Sequence, residues 1–444
     1  MNSVLISLVS VVVILGFMIL IHEFGHYAVA KLLGVRVEQF AIGFGKRLVG
    51  FRKGETDYRI NAIPLGGYVK MSGENPMDER TGDPREFLSH PRWHRFLIAV
   101  AGPFMNILLA IVLLTSVYMV HYEYAAYMDN LAVIGYVEPG SPASKVGVEP
   151  GDRIVRIDGV RNPTWEQVSV KELLNPNQPL DFAVQRGTQT IPGSVVPVPV
   201  TTSEIGSAGW YPKESVIVGE LDPGLPAEKV GIRAGDKILF LDGQPIPSIQ
   251  VMIERLQQTR SKPVVVEVER EGKNLSFTAT PVLAPASRGE SHYRLGFKSA
   301  PETKVSRLSF PDAFTHSLTD NKRYSLILLE LVGKLVQHKV SIRTVSGPIG
   351  IAQEAGAAAR EKGWTPLLAL TAAISLNLGI FNLLPIPIMD GGVILLLAIE
   401  GLMRRDISLP IKERIYQAAF VFLVLFAAVV IYNDIAKTIA QRLP

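Results

Sequence analysis

Four apolar blocks constrain this chain more than any other feature of its sequence. They run from Val4 to Ile21, from Phe96 to Val120, from about Trp364 to Leu384 and from Ile415 to Tyr432, and none contains a charged residue. A bilayer core takes about 20 apolar residues of helix to cross. Within lipid the backbone must satisfy its own hydrogen bonds, which favours helices. Each block is therefore predicted to span a membrane. The blocks also explain how a chain of 444 residues reaches 48% hydrophobic content. The net charge of +4 gives no basic surface for nucleic acid. The absence of cysteine excludes disulfides, thiolate metal sites and cysteine nucleophiles.

Orientation follows from lysine and arginine near the ends of the spans. The segment after the first block carries Lys31, Arg36, Lys46, Arg47, Arg52, Lys53, Arg59 and Lys70. The connection before the fourth block carries Arg404, Arg405, Lys412 and Arg414. Both are predicted to face the cytoplasm. The N-terminus and the long segment between the second and third spans are then expected outside.

That outer segment repeats itself. Residues 135–160 and 219–244 are offset by 84 positions and identical at 13 of 26. A period this long implies two copies of a whole small domain. Each copy has a Pro/Gly turn, a helical turn ending at Gly147 or Gly231, and a Gly-Asp pair before an alternating strand, Arg153 to Ile157 or Lys237 to Leu241. Asp158-Gly159 and Asp242-Gly243 are turn pairs. The copies resemble PDZ domains in the circularly permuted form of bacterial proteases. The resemblance implies capture of an extended peptide along a sheet edge. A rigid spacer or size filter is the other reading, and the two are compatible.

The chemistry begins at His22-Glu23-Phe24-Gly25-His26. Histidines four apart share one helix face, so both imidazoles reach one ion. Zinc suits such nitrogen ligands, and the intervening Glu23 can serve as general base toward water. Three ionisable groups inside an apolar helix are costly and default to a functional reading. A catalytic zinc usually takes a third protein ligand. The nearest carboxylates downstream are Glu38, Glu55, Asp57 and Glu74. Asp390 is the better candidate: it follows Asn382-Leu-Leu-Pro-Ile-Pro-Ile-Met and is the one carboxylate between Thr365 and Ile399. Topology predicts that it lies level with the histidines. The other reading of Asp390 is a cap for the helix that follows.

The HExxH motif together with NLLPIPxxDGG resembles the site-2 proteases. Ala101-Gly-Pro-Phe-Met-Asn106, Ile63-Pro-Leu-Gly-Gly-Tyr-Val-Lys70 and Ser346-Gly-Pro-Ile-Gly-Ile-Ala352 look like further segments of that family. Met389 and Val393 depart from its common residues. The resemblance implies that His22, His26 and Asp390 hold Zn2+, that Glu23 is catalytic and that Asn382 holds the substrate backbone. It implies hydrolysis of a single-pass membrane protein within the bilayer, an anti-sigma factor already shortened on its outer side or a remnant signal peptide. The location implied is a bacterial inner membrane, with the repeats periplasmic and the active site near the cytoplasmic side.

The expected architecture is a polytopic α-helical membrane protein with two inserted PDZ-like α+β domains. Residues 1–34 form the first span with HExxH, 35–95 a cytoplasmic-side β region, and 96–121 the second span. Residues 126–212 and 213–285 form the two repeats, and 310–352 amphipathic helices on the outer side. Residues 364–402 form the third span with the Asp390 segment, and 413–436 the fourth. The β region could offer an edge to an unwound substrate or be a plain structural hairpin. A zinc transporter would need polar membrane sites in series, and the second and fourth spans offer little beyond Asn106. A non-catalytic PDZ scaffold would not need an intact HExxH and Asp390.

Overall fold

The computed structural model describes residues 3–74, 81–200, 204–285, 291–361 and 363–442. The chain divides into two compact units, one of residues 1–122, 307–329 and 346–435, the other of 123–306, 330–345 and 436–444.

The first unit is helical around a small β element. Helix α1 (Ser3–Leu32) leads into strands β1 (Val37–Lys53) and β2 (Thr56–Met71), followed by α2 (Arg92–Val120). Beyond the repeats come α8 (Pro348–Ala358), α9 (Thr365–Asn382), α10 (Asp390–Met403) and α11 (Leu409–Arg442). Helices α1, α2, α9 and α11 are long and apolar enough to cross a membrane. The third span ends at Asn382, as the apolar block to about Leu384 predicts, and a separate helix begins at Asp390. The two are separate helices because Pro385 and Pro387 cannot continue α9 and the chain turns back through Leu383–Met389.

Glycines set how closely the helices pack. A Cβ on Gly25 would overlap the Ala101 carbonyl of α2, and one on Gly379 would lie 3.0 Å from the Pro103 oxygen. Strands β1 and β2 pair antiparallel with several register shifts. Their far end leaves Leu48, Val49, Phe51, Ile60 and Ile63 exposed. Helix α8 has no capping side chain of its own. Asp434 of α11 supplies one: its carboxylate accepts from the amides of Gly347, Ile349 and Gly350 at 2.9–3.0 Å.

The second unit contains the repeats. In the first, β3 (Ile134–Val137), α3 (Pro142–Lys145), β4 (Arg153–Ile157), α4 (Trp165–Leu173), β5 (Leu180–Arg186), β6 (Gln189–Val195), β7 (Ile205–Ser207) and β8 (Trp210–Pro212) surround a core that includes Ile134, Ile154, Phe182 and Trp210. In the second, β9 (Val216–Leu221), α5 (Pro226–Lys229), β10 (Lys237–Leu241), α6 (Ile249–Thr259), β11 (Val264–Arg270), β12 (Lys273–Ala279), β13 (Ser291–Arg294) and β14 (Phe297–Ala300) enclose Val218, Ile238, Val266 and Leu295. The second repeat therefore extends past 285. Its closing strand β14 pairs with β9, Val218 opposite Ser299, just as β8 pairs with β3.

The copies differ beside their last long helix. In the first, Gly206 abuts the Glu172 carbonyl so closely that a Cβ would overlap it. The Glu172 carboxylate accepts from the Ala208 amide and, at 3.2 Å, from the Trp210 indole. In the second, a groove of about 260 Å³ remains between α6 and β13, lined by Met252, Leu256 and Phe297. There the Gln257 amide donates to the Tyr293 carbonyl at 2.9 Å and accepts from its N–H at 3.0 Å.

Helix α7 runs over Phe310–Val336. Within the second unit, its Lys334 donates to the Asn175 side chain at 2.6 Å.

Candidate metal centre

Helix α1 forms because its run of Val, Ile, Leu and Met is apolar on every face and unbroken by proline. The 3.6-residue turn then stacks His22 and His26, whose ring centroids lie 4.8 Å apart. Both are buried. The His26 Nδ1 lies 2.7 Å from the Ile98 carbonyl of α2. A carbonyl only accepts, so Nδ1 carries the proton and Nε2 presents its lone pair to the opposite side. That side is the common centre: the Nε2 atoms of His26 and His22 are 3.2 Å apart.

Asp390 arrives from the other end of the chain. It is the first residue of α10, and Met389, not Asp390, stands at the cap position. Its Oδ2 lies 3.1 Å from His22 Nε2 and its Oδ1 lies 3.4 Å from His26 Nε2. The Gly-Gly that follows is a steric requirement. Side chains at Gly391 and Gly392 would overlap the carbonyls of Leu383, Leu384 and Ile386, because the preceding loop folds against the first turn of α10. Ile388 sits at φ 85°, which a β-branched residue rarely adopts. This turn delivers the carboxylate toward α1.

Among the described residues, His22, His26 and Asp390 are the one His/carboxylate group that could hold a metal, with candidate ligand atoms within 4.8 Å of one another. Tetrahedral zinc with donors at 2.0–2.1 Å needs those donors about 3.3 Å apart. The observed spacings of 3.1, 3.2 and 3.4 Å fit that requirement. The space is kept open by Gly102 of α2, where a Cβ would strike His26 Nε2 and come within 2.8 Å of His22 Nε2. No lysine or arginine among the described residues pairs with Asp390. The other carboxylates considered lie elsewhere or differ in role: Glu38 pairs with Lys70, Glu55 with Lys31 and Arg85, and Asp57 with Arg47 and Arg59.

A cavity of about 370 Å³ opens beside the centre, lined by Glu23, Tyr68, Glu74, Asn382 and Val393 as well as the three metal-type residues. Glu23 lies against β2: a Cβ on Gly67 would sit 3.3 Å from its Cγ. Asn382, the last residue of α9, is half-buried. The structure adds Tyr68, Val69 and Gly102 to the site and puts Glu74, one of the downstream carboxylates, in the cavity wall. Gly102 carried a signal in the Gly-Pro-Phe-Met-Asn106 pattern, whereas the residues of β2 enter only through tertiary packing.

Comparisons with known proteins bear on the chain as a whole. The model of peptidase family M50 matches residues 10–426. "Protease RseP" of Yersinia pestis is 33% identical over 465 residues, covering 98% of this chain and 100% of that protein. "Regulator of sigma-E protease RseP" of Escherichia coli K12 is 33% identical over 471 residues, covering 98% and 100%. A solved PDZ domain of an SdrC-like protein from Listeria monocytogenes aligns with 20% of this chain and 88% of its own, at 23% identity and a TM-score of 0.18. That score is too low to bear on the fold. With a family match over most of its length, the chain belongs to peptidase family M50, the zinc-dependent intramembrane proteases of the site-2 type.

Proposed function

We propose that His22, His26 and Asp390 hold the zinc ion and that Glu23 is the general base of peptide hydrolysis. The spacing of the three donor atoms, at 3.1–3.4 Å on helices from opposite ends of the chain, carries the reading. When bound, zinc supplies Lewis acidity for the scissile carbonyl and acidifies water. Glu23 takes the proton from the attacking water and returns it to the leaving amine. Asn382 offers its amide to the substrate backbone from the cavity wall. The cavity borders β2, so an unwound segment can lie along the strand with its peptide bond beside Glu23.

The substrate is a single-pass membrane protein. An anti-sigma factor trimmed on its outer side suits the relatives' printed name, regulator of sigma-E protease. The clusters at Lys46–Arg59 and Arg404–Arg414 favour a cytoplasmic location for both connections, with the repeats in the periplasm. In that orientation the repeats, as circularly permuted PDZ-like domains, screen what reaches the membrane.

The test is Glu23→Gln in the purified full chain. Loss of cleavage of a transmembrane substrate by roughly 10²–10⁴-fold is expected, with zinc content unchanged. Cleavage at the wild-type rate with zinc bound would remove Glu23 from the mechanism.

A further inference from the structure

Asn106 is fully buried in the middle of α2, an apolar membrane-type helix. Its side-chain amide lies 3.1 Å from His22 Nδ1, and its other polar atom, Oδ1, is buried without a partner. Leaving one end of a buried amide unpaired is destabilising. An apolar residue of similar volume would pack here without that cost. Packing therefore does not account for an asparagine, and its one side-chain hydrogen bond among the described residues is with His22.

The chemistry of that contact is set by the second nitrogen. The His22 Nε2 faces the shared centre, 3.2 Å from His26 Nε2 and 3.1 Å from Asp390 Oδ2. To offer a lone pair there, His22 must carry its proton on Nδ1. Nδ1–H then needs an acceptor, and among the described residues the side chain that reaches it is Asn106. The oxygen and nitrogen of an amide are not distinguished by shape, so the carbonyl can be the end turned to the ring. His26 receives the same service from a backbone carbonyl, that of Ile98. The two histidines are thus oriented by two atoms of one helix, eight residues apart.

We propose that Asn106 is a positioning residue whose side-chain carbonyl fixes the tautomer and ring plane of His22 for zinc. The proposal rests on the metal-centre reading above. Partners of this kind typically contribute 10–100-fold to metal affinity. The backbone of Asn106 has a separate role, since its carbonyl accepts from Ser375 Oγ of α9 at 2.9 Å. Side-chain variants leave that link in place.

The test measures zinc affinity, by competition with a chelating dye, and thermal stability of the zinc-free full chain in detergent. Asn106→Leu is expected to weaken zinc binding 10–100-fold while the zinc-free protein melts no lower than wild type. Asn106→Asp, which still accepts from Nδ1–H, is expected to restore affinity to within a few-fold. Ser375→Ala, which breaks the α2–α9 link alone, is expected to leave affinity unchanged. Equal zinc affinity in Asn106→Leu and wild type would overturn the proposal, as would failure of Asn106→Asp to exceed Asn106→Leu. Should wild type bind no zinc, or His26→Ala bind it as tightly as wild type, the metal-centre reading itself fails.

Discussion

Asp152 and Asp236 stand at equivalent positions of the two repeats, and each is buried against an equivalent arginine. Arg186 donates to Asp152 at 2.7 and 2.8 Å, and Arg270 donates to Asp236 at 2.6 and 2.7 Å. A backbone amide completes each carboxylate, from Glu149 and from Arg233. Asp390 of the helical unit is also largely buried, yet it faces two imidazoles and no guanidinium. Its neighbours can each donate only by protonating the nitrogen that faces the centre. The repeats carry their charge balance within the chain. The centre near α1 has donors in excess and a cation still to be supplied, which is the electrostatic description of a binding site.

The comparison breaks most visibly at Asp390. Asp390→Ala should weaken zinc binding by more than about a hundredfold, beyond what outer partners alone contribute, and abolish cleavage. Unchanged zinc content in that variant would remove Asp390 from the ligand set. Asp236→Asn should leave zinc untouched and lower the melting temperature of the second repeat, because Arg270 and the Arg233 amide lose a charged acceptor. A thermal melt read alongside metal content separates the two outcomes. Acid should act in the same way. Burial opposes ionisation of Asp152 and Asp236, but the arginines and backbone amides overcome it and lower both pKa values. The folded values thus fall below the unfolded value of about 3.9. The stabilisation is present above that pH and is lost as the pH falls through the folded values.

A smaller effect should distinguish the repeats from each other. Burial raises the Glu172 pKa to about 7, against the donors from Ala208, Trp210, Ser207 and Gly209. A raised carboxyl stabilises fully below its unfolded pKa, and that contribution is lost as the pH rises through about 7. The first repeat should therefore soften between about pH 4.5 and 7, and Glu172→Gln should flatten the profile. The second repeat, with the neutral Gln257 reaching its strand, has no such group there. A flat wild-type profile in the first repeat would mean that Glu172 ionises freely.

Features written in local pattern were legible in the sequence. Uncharged runs mark the four long helices, and the duplicated turn and Gly-Asp signals mark the two repeats. Histidines four apart on a helix share a face by geometry alone. The juxtaposition of Asp390 with them needed topology as well, and the sign of the loop charges supplied it. Non-local pairing was not legible. Strand β14 joins β9 across about 75 residues, so no local signal carried the second repeat past 285. Pro385 and Pro387 mark the break after α9, but the packing of that loop against the first turn of α10 carries no local signal. Tyr68 and Val69 reach the cavity only because β2 packs on α1. Asn106 was visible as a polar residue in an apolar span, but its contact with His22 depends on how α2 crosses α1.

Asp434 has a consequence of a mechanical kind. Most of α11 between Phe420 and Val429 is exposed, so few contacts within the protein resist sliding along its own axis. An axial slip of one helical turn would move it about 5.4 Å, far enough to strip the Asp434 carboxylate from the amides of Gly347, Ile349 and Gly350. That triple grip acts as a depth gauge. With the Lys412–Glu400 ion pair at 2.6 Å near the other end of α11, it holds the height at which the apolar run from Ile415 to Tyr432 meets the surrounding lipid.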